Sequence, residues 1–354
     1  MNKSLKFTRY LYNLDEVELT LLECILSKKP FQEIYFWTNE LYYSIDKNAV
    51  WQFIYKIYYD FYYLNYPQFV EKINKKYLKW KKNNKIEYIL YVTYNLSRCK
   101  KIDVNIFLHR TYFSSVLKYI IKNINLRNCY GENRYEKLLS FAISSRNNHF
   151  IAYYLKKIQN NDKIKNILIQ NQINITENSL YCDKKHLFLV SVLDFPKIQN
   201  KFIFKKVPEN AYNDVEKQLS VKIEKGKKYK ELKEKRLFNI SNTLGGFELV
   251  RSDYILNNEF WYNWEYHAIK TPVWKKRFDA YKIKVSHRNK CIKFIDDDEL
   301  EDFYEKYGLE PDEQSKEIQE KSTKSIRSIT INNWISGICP EIKIDKIEKK
   351  LKYN

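Results

Sequence analysis

A chain of 354 residues with only six glycines and seven prolines has few places to turn sharply. Sandwiches and barrels need frequent tight turns, so this scarcity predicts a mainly α fold. Hydrophobic side chains make up 44% and charged ones 30%, enough apolar surface to build a core. The length leaves room for more than one domain.

Over residues 1–160 apolar positions recur at helical spacing. Leu14, Val17, Leu21 and Ile25 form one stripe, with Asn13 and Glu16 placed as a capping box before it. Pro30 suits the first turn of a second helix. Further helices are predicted over 49–64, 67–82, 85–98, 113–124, 133–145 and 147–158. Their short polar connections predict helical hairpins, packed as a HEAT-like repeat or bundle over 1–165. The polar stretch 161–180 reads as a hinge. Beyond it HLFLVSVLDF, KFIFKKV, YKIKV and CIKFI read as strands, with charged helices near 211–238 and 259–280. A smaller α+β domain is therefore expected over 181–295. An acidic C-terminal segment, 296–354, follows, with Gly308 and Pro311 breaking its helical pattern.

The run FIYKIYYDFYYLNY at 53–66 poses a choice between a stacking platform for bases and a buried helix. Wound as a helix, Phe53, Ile57 and Leu64 share a side while Tyr55, Tyr58, Tyr59 and Tyr62 cover most of the rest. A helix apolar all round is buried between neighbours. Stacking platforms interleave aromatics with cations, and here Lys56 is the lone cation. The run is predicted to be core, with Tyr58 and Tyr62 buried.

The net charge is +20, positive over 1–295 and negative beyond. Such an excess points to a polyanionic partner, because clustered cations gain affinity by releasing condensed counterions. Three clusters carry it. On the helix at 67–82, Phe69, Ile73, Tyr77 and Trp80 form one face, and Lys72, Lys75, Lys76, Lys79 and Lys82 fall opposite. Apart from Glu71, one turn before Lys75, those lysines lack acidic partners one turn away and repel each other, which a phosphate backbone would relieve. The plain alternative is a solvated face. The second cluster, 222–236, contains Lys227 and Lys228 beside Gly226 and ends at Arg236, with Glu231 and Lys235 self-paired. The third, Trp274, Lys275, Lys276 and Arg277 after Pro272, combines a stacking ring with phosphate-binding cations.

Four stretches resemble an uncharacterised protein family of giant DNA viruses of protists: FTRYLYNLDEVELTLLECILSKKPFQEIYFWTNELYYS (7–44), WQFIYKIYYDFYYLNYPQFVEKINKKYLKW (51–80), WEYHAIKTPVWKKRF (264–278) and DDDELEDFYEKYGLEPDEQSKEIQEKS (296–322). The resemblance implies a cytoplasmic viral factory or a virion as the setting. It carries over no catalytic residue.

Chemistry-bearing motifs are sparse. Cys182 with His186, and His287 with Cys291, have the spacing of two metal arms, but the usual two-residue gap between cysteines is missing and zinc is not expected. Gly245-Gly246 lacks the lysine and helix of a phosphate loop. The acidic run 296–299 lacks the alternating spacing of a calcium loop. Five scattered histidines build no catalytic set, so neither an enzyme activity nor a cofactor is expected. Six widely spaced cysteines suit a reducing compartment. No leader-like opening and no apolar run long enough to span a bilayer occur, so a membrane partner is not expected. The reading is a non-catalytic viral adaptor. It binds nucleic acid, RNA in preference, and viral or host proteins through its helical domain, in transcription or translation initiation. The alternative is a structural virion protein lying against the capsid interior or the packaged genome.

Overall fold

The structure, a computed structural model, describes residues 4–113, 125–193, 195–198, 200–207, 239–240, 255–307, 316, 320, 328–342 and 344. Helices α1 (Leu14–Leu26), α2 (Phe31–Ser44), α3 (Lys47–Phe61), α4 (Phe69–Asn83) and α5 (Glu87–Ser97) open the fold. A short α6 (Asn105–Leu108) runs directly into a π-helical turn, His109–Phe113. Then come α7 (Arg134–Ser144), α8 (Asn148–Lys157), α9 (Asn161–Gln170) and α10 (Lys184–Val192). The C-terminal part holds α11 (Leu256–Trp261), α12 (Trp264–Ala268), α13 (Pro272–Phe278), the hairpin strands β2 (Ile283–Ser286) and β3 (Cys291–Phe294), α14 (Asp297–Tyr307) and α15 (Ile331–Ile338). β2 and β3 pair antiparallel, and a short parallel pair joins β1 (Asn239–Ile240) to β4 (Ser328–Ile329). The protein is mainly helical with a small antiparallel sheet near its C-terminal part. No described helix is long and apolar enough to cross a membrane.

Local chemistry accounts for the helix starts. Asp46 accepts from Ala49 N to open α3, and Asn160 accepts from Asp162 N and Lys163 N to open α9. The reciprocal capping box forms at Asn133 and Glu136, heading α7. The one expected at Asn13 and Glu16 does not. There the Asn13 amide donates to Glu16 Oε1 at 2.8 Å, a bond between side chains that leaves the helix amides alone.

α3 lies at the centre of the helical body. Tyr55, Tyr58, Tyr59 and Tyr62 are buried as the all-round apolar pattern requires. Tyr55 OH reaches Asn74 Oδ1 at 2.6 Å, Tyr58 OH reaches the carbonyls of Tyr66 and Pro67, and Tyr59 OH accepts from Asn178 Nδ2 at 3.0 Å. The C-terminal part folds back onto this body. α13 packs on α2, and Trp334 of α15 packs against Phe61 and Phe107 and donates to Glu23 Oε2.

Three expectations from the sequence need correction. The stretch 161–180 contains α9, whose Ile164, Ile167 and Leu168 are buried and which packs on α7 and α10. The HLFLVSV of HLFLVSVLDF belongs to a helix, α10, because Asp183 caps His186 N and the apolar run up to Val192 is largely buried. KFIFKKV forms no strand. It is an extended strap held by side chains, as described below, whereas YKIKV and CIKFI do form the hairpin. The helix expected over 113–124 and the one near 211–238 lie outside the described residues.

Candidate nucleic-acid interface

α4 is positioned by its apolar face. Trp80 Nε1 donates to Tyr42 OH at 2.9 Å, Tyr77 OH to Asn48 Oδ1 at 3.1 Å, and both rings pack against Trp51. Asn84 ends the helix in the left-handed region, at φ 55°, a conformation asparagine tolerates. Lys81 and Lys82 in the last turn complement the helix dipole.

With Phe69, Ile73, Tyr77 and Trp80 fixed inward, about 100° per residue sets the lysines on one flank, in an arc of roughly 120°. Lys82 and Lys75 lie opposite the buried face, as the sequence pattern predicts, while Lys79, Lys72 and Lys76 turn progressively toward its edge. Leu78, also on the outer side of the helix, is 48% exposed. Lys72, Lys75, Lys79 and Lys82 are exposed, and Lys76 is half-buried. None of the five forms an ion pair with a described residue. Burial, and then repulsion from Lys79 and Lys72, pushes the Lys76 ammonium below its ordinary pKa.

The lysine flank leans over a row of aromatic rings. Lys76 Nζ stands 3.8 Å from the Tyr91 ring centre and 5.5 Å from that of Tyr88, both on α5. Lys72 Nζ stands 5.6 Å from the Phe204 ring, which belongs to the strap. Phe204 is aligned with Tyr91 within 11° at 6.4 Å, and Phe202 stacks on Phe69 at 5.6 Å. Arg98, just past α5, lies over Tyr94 and Phe202 at 5.7 and 5.9 Å.

The strap is fastened by backbone capture. Asn95 donates its amide to Lys205 O and accepts from Lys205 N, both at 3.0 Å, so one side chain replaces a neighbouring strand. Ile198 N donates to Leu64 O, Gln68 donates to Asn200 O, and Arg98 Nη1 donates to Ile203 O. The alternation this imposes turns Phe202 and Phe204 inward while Lys201, Ile203 and Lys205 point out, with Lys206 also exposed. Residues more than a hundred positions apart in the chain thus share one basic, aromatic-lined surface.

The other clusters fare differently. Trp274 is fully buried, its Nε1 donating to Thr8 O at 2.7 Å, so it is no stacking ring for a ligand. Pro272 starts α13 and sends Trp274 and Phe278, four apart, into the core. Arg277 is spent inside the protein, over Trp274 at 4.3 Å and Tyr307 at 4.9 Å, with Nη1 donating to Arg9 O. Lys275 and Lys276 stay exposed. Lys227, Lys228 and Arg236 lie outside the described residues, as does Gly245-Gly246.

The two metal arms separate. Cys182 is exposed, whereas His186 is buried with Nδ1 on Tyr181 OH at 2.8 Å and Nε2 3.2 Å from Asp60 Oδ1. His287 is exposed and within 3.4 Å of Tyr266 OH. Among the described residues no group of three or more His, Cys, Asp or Glu side chains is placed to hold a metal ion.

Sequence reasoning missed the strap and the tyrosines of α5. The signal was present: Tyr88, Tyr91 and Tyr94 recur every three residues toward Arg98, and KFIFKKV alternates aromatic with cationic or exposed positions. Comparison with family models, curated proteins and solved structures returns no match for this chain.

Proposed function

We propose that this protein is a non-catalytic adaptor that binds nucleic acid, RNA in preference, through the surface formed by α4, the end of α5 and the strap. The observation that carries this reading is the flank of five lysines without ion-pair partners among the described residues, joined by Lys201, Lys205 and Lys206 from a distant part of the chain. Packing unpaired cations together is unfavourable in the free protein, and a phosphate backbone turns that cost into affinity by counterion release. The remaining α2, α7 and α8 surfaces serve viral or host protein partners. In this reading the packed pairs α1 with α2 and α7 with α8 are HEAT-like hairpins, a type of scaffold suited to such partners. The setting is the host cytoplasm or viral factory implied by the sequence resemblance, and the process is viral gene expression at transcription or translation initiation.

Two measurements test this. The purified full-length chain should retard RNA in a gel at low salt and release it as salt rises. Failure to bind RNA at low salt would refute the reading. Affinity capture from infected cells should recover RNA with gene-expression factors, whereas stoichiometric recovery in purified virions would favour the structural virion protein.

A further inference from the structure

We propose, resting on the nucleic-acid reading above, that this surface takes unpaired RNA, with bases stacking on Tyr88, Tyr91 and Phe204 while phosphates follow the lysine flank of α4.

The arrangement has the two parts that single-strand binding needs. Lys72, Lys75 with Lys76, Lys79 and Lys82 recur about once per helical turn, roughly 5.4 Å apart, giving a continuous rail of positive charge. Beside the rail, Tyr88, Tyr91 and Phe204 are half-buried, not enclosed, so each keeps part of its surface open to solvent. Cations alternate with these rings, Lys76 over both tyrosines and Lys72 over Phe204. This is the interleaving that the tyrosine run of α3 lacks. Exposed Ile203, at 80%, extends the apolar strip between Lys201 and Lys205.

A duplex fits this surface poorly. Its bases are stacked on one another and offer no ring face, and the A-form major groove is too deep and narrow for side chains to read. Rings rooted in α5 and in a strap lying flat on the body cannot reach into a groove. They can receive bases that an unpaired strand splays outward. The strap is fixed from both sides by Asn95 and by the carbonyl of Leu64, so the rings are in place before a ligand arrives.

The test uses full-length protein and three labelled probes of equal length or charge: an unstructured RNA, a perfect RNA duplex, and heparin. Wild type is expected to bind the unstructured RNA about tenfold or more tighter than the duplex. Tyr88→Leu with Tyr91→Leu should lose about tenfold on the unstructured RNA and leave heparin affinity unchanged. Equal affinity for the two RNAs, or an equal loss on heparin, overturns the single-strand inference while leaving polyanion binding intact. Absence of binding to all three probes overturns the nucleic-acid reading itself. Should the double variant melt early, ultraviolet crosslinking of wild type to the unstructured RNA decides: adducts within 85–98 and 201–207 support the site, and adducts confined elsewhere refute it.

Discussion

Asp60 grips Arg110 through two hydrogen bonds, Oδ1 to Nε at 2.8 Å and Oδ2 to Nη2 at 2.6 Å. The carboxylate belongs to α3 and the guanidinium to the π-helical turn, and His186 of α10 closes on the same carboxylate. Burial alone would raise the Asp60 carboxyl, but Arg110 and then His186 overcome it and hold the group well below the usual carboxylate range. Three parts of the helical body are thereby fixed to one side chain.

Asp60→Asn at pH 7 is expected to cost about 3–5 kcal/mol, because it leaves Arg110 without its principal counterion. A depressed pKa contributes stability above the unfolded value and loses it as pH falls. The gap between wild type and variant should therefore shrink below about pH 4. Denaturant melts at pH 7 and pH 3.5 check both statements. An undiminished gap at the lower pH would mean the charge is not what matters.

A second acid-sensitive contact joins His109 and His149, stacked with ring centres 4.8 Å apart. His109 Nδ1 is 2.7 Å from Asn105 O, while its Nε2 and His149 Nδ1 are buried without a hydrogen-bond partner among the described residues. Burial, then the neighbouring His149, lowers the His109 pKa to about 3, and burial lowers that of His149 to about 4. Both values lie below the unfolded one, so the unfolded chain takes up protons first and stability falls as pH drops from about 6.5. Glu18 opposes this slope, because burial pushes its carboxyl up to about 7. The comparison must accordingly be between proteins. Between pH 7 and 5, wild type is expected to lose up to about 2 kcal/mol more than His109→Phe. Parallel pH profiles for the two would contradict this.

How far the sequence reveals this fold depends on where the determining partner lies. The all-round apolar pattern of α3 is local, and it places Tyr58 and Tyr62 in the core without help from the rest of the chain. YKIKV and CIKFI are separated by a short turn and find each other, so the hairpin is legible too. HLFLVSVLDF is an apolar run of a length that suits either a strand or a buried helix, and the Asp183 cap decides. The alternation of the strap is local and legible, but where it docks is not, because its pairing partner is the side chain of Asn95, more than a hundred residues away. Trp274 misleads for a similar reason. Its flanking cations suggest an exposed ring, but the acceptor for its indole is the carbonyl of Thr8 at the other end of the chain.

Tyr58 offers a test of the core itself. Tyr58→Ala should cost about 3–5 kcal/mol, as other buried aromatic truncations do. Tyr58→Phe should cost about 1 kcal/mol, since it takes the hydroxyl donor from the carbonyl of Pro67 and leaves Tyr66 O with Phe69 N alone. Chemical denaturation reads both, and near-neutral values would return this tyrosine to the surface.

Trp274→Ala separates structure from binding. The variant is expected to lose about 3–5 kcal/mol of stability. Its RNA affinity, measured at a temperature where it is still folded, should match wild type. A weakened affinity with unchanged melting would instead restore Trp274 to the interface.

The most direct measurement concerns the lysine flank. Lys75, Lys79 and Lys82 are exposed and form no ion pair with described residues, so changing all three to glutamine should leave the melting temperature nearly unchanged. Affinity for an unstructured RNA is then followed from low to moderate salt. Each lost phosphate contact on a single strand should shallow the log–log salt slope by about 0.7, or roughly two units for the triple variant. That loss should be the same for RNAs of different sequence. If the triple variant keeps both the affinity and the salt slope of wild type, the flank is an ordinary solvated surface and the proposed interface is wrong.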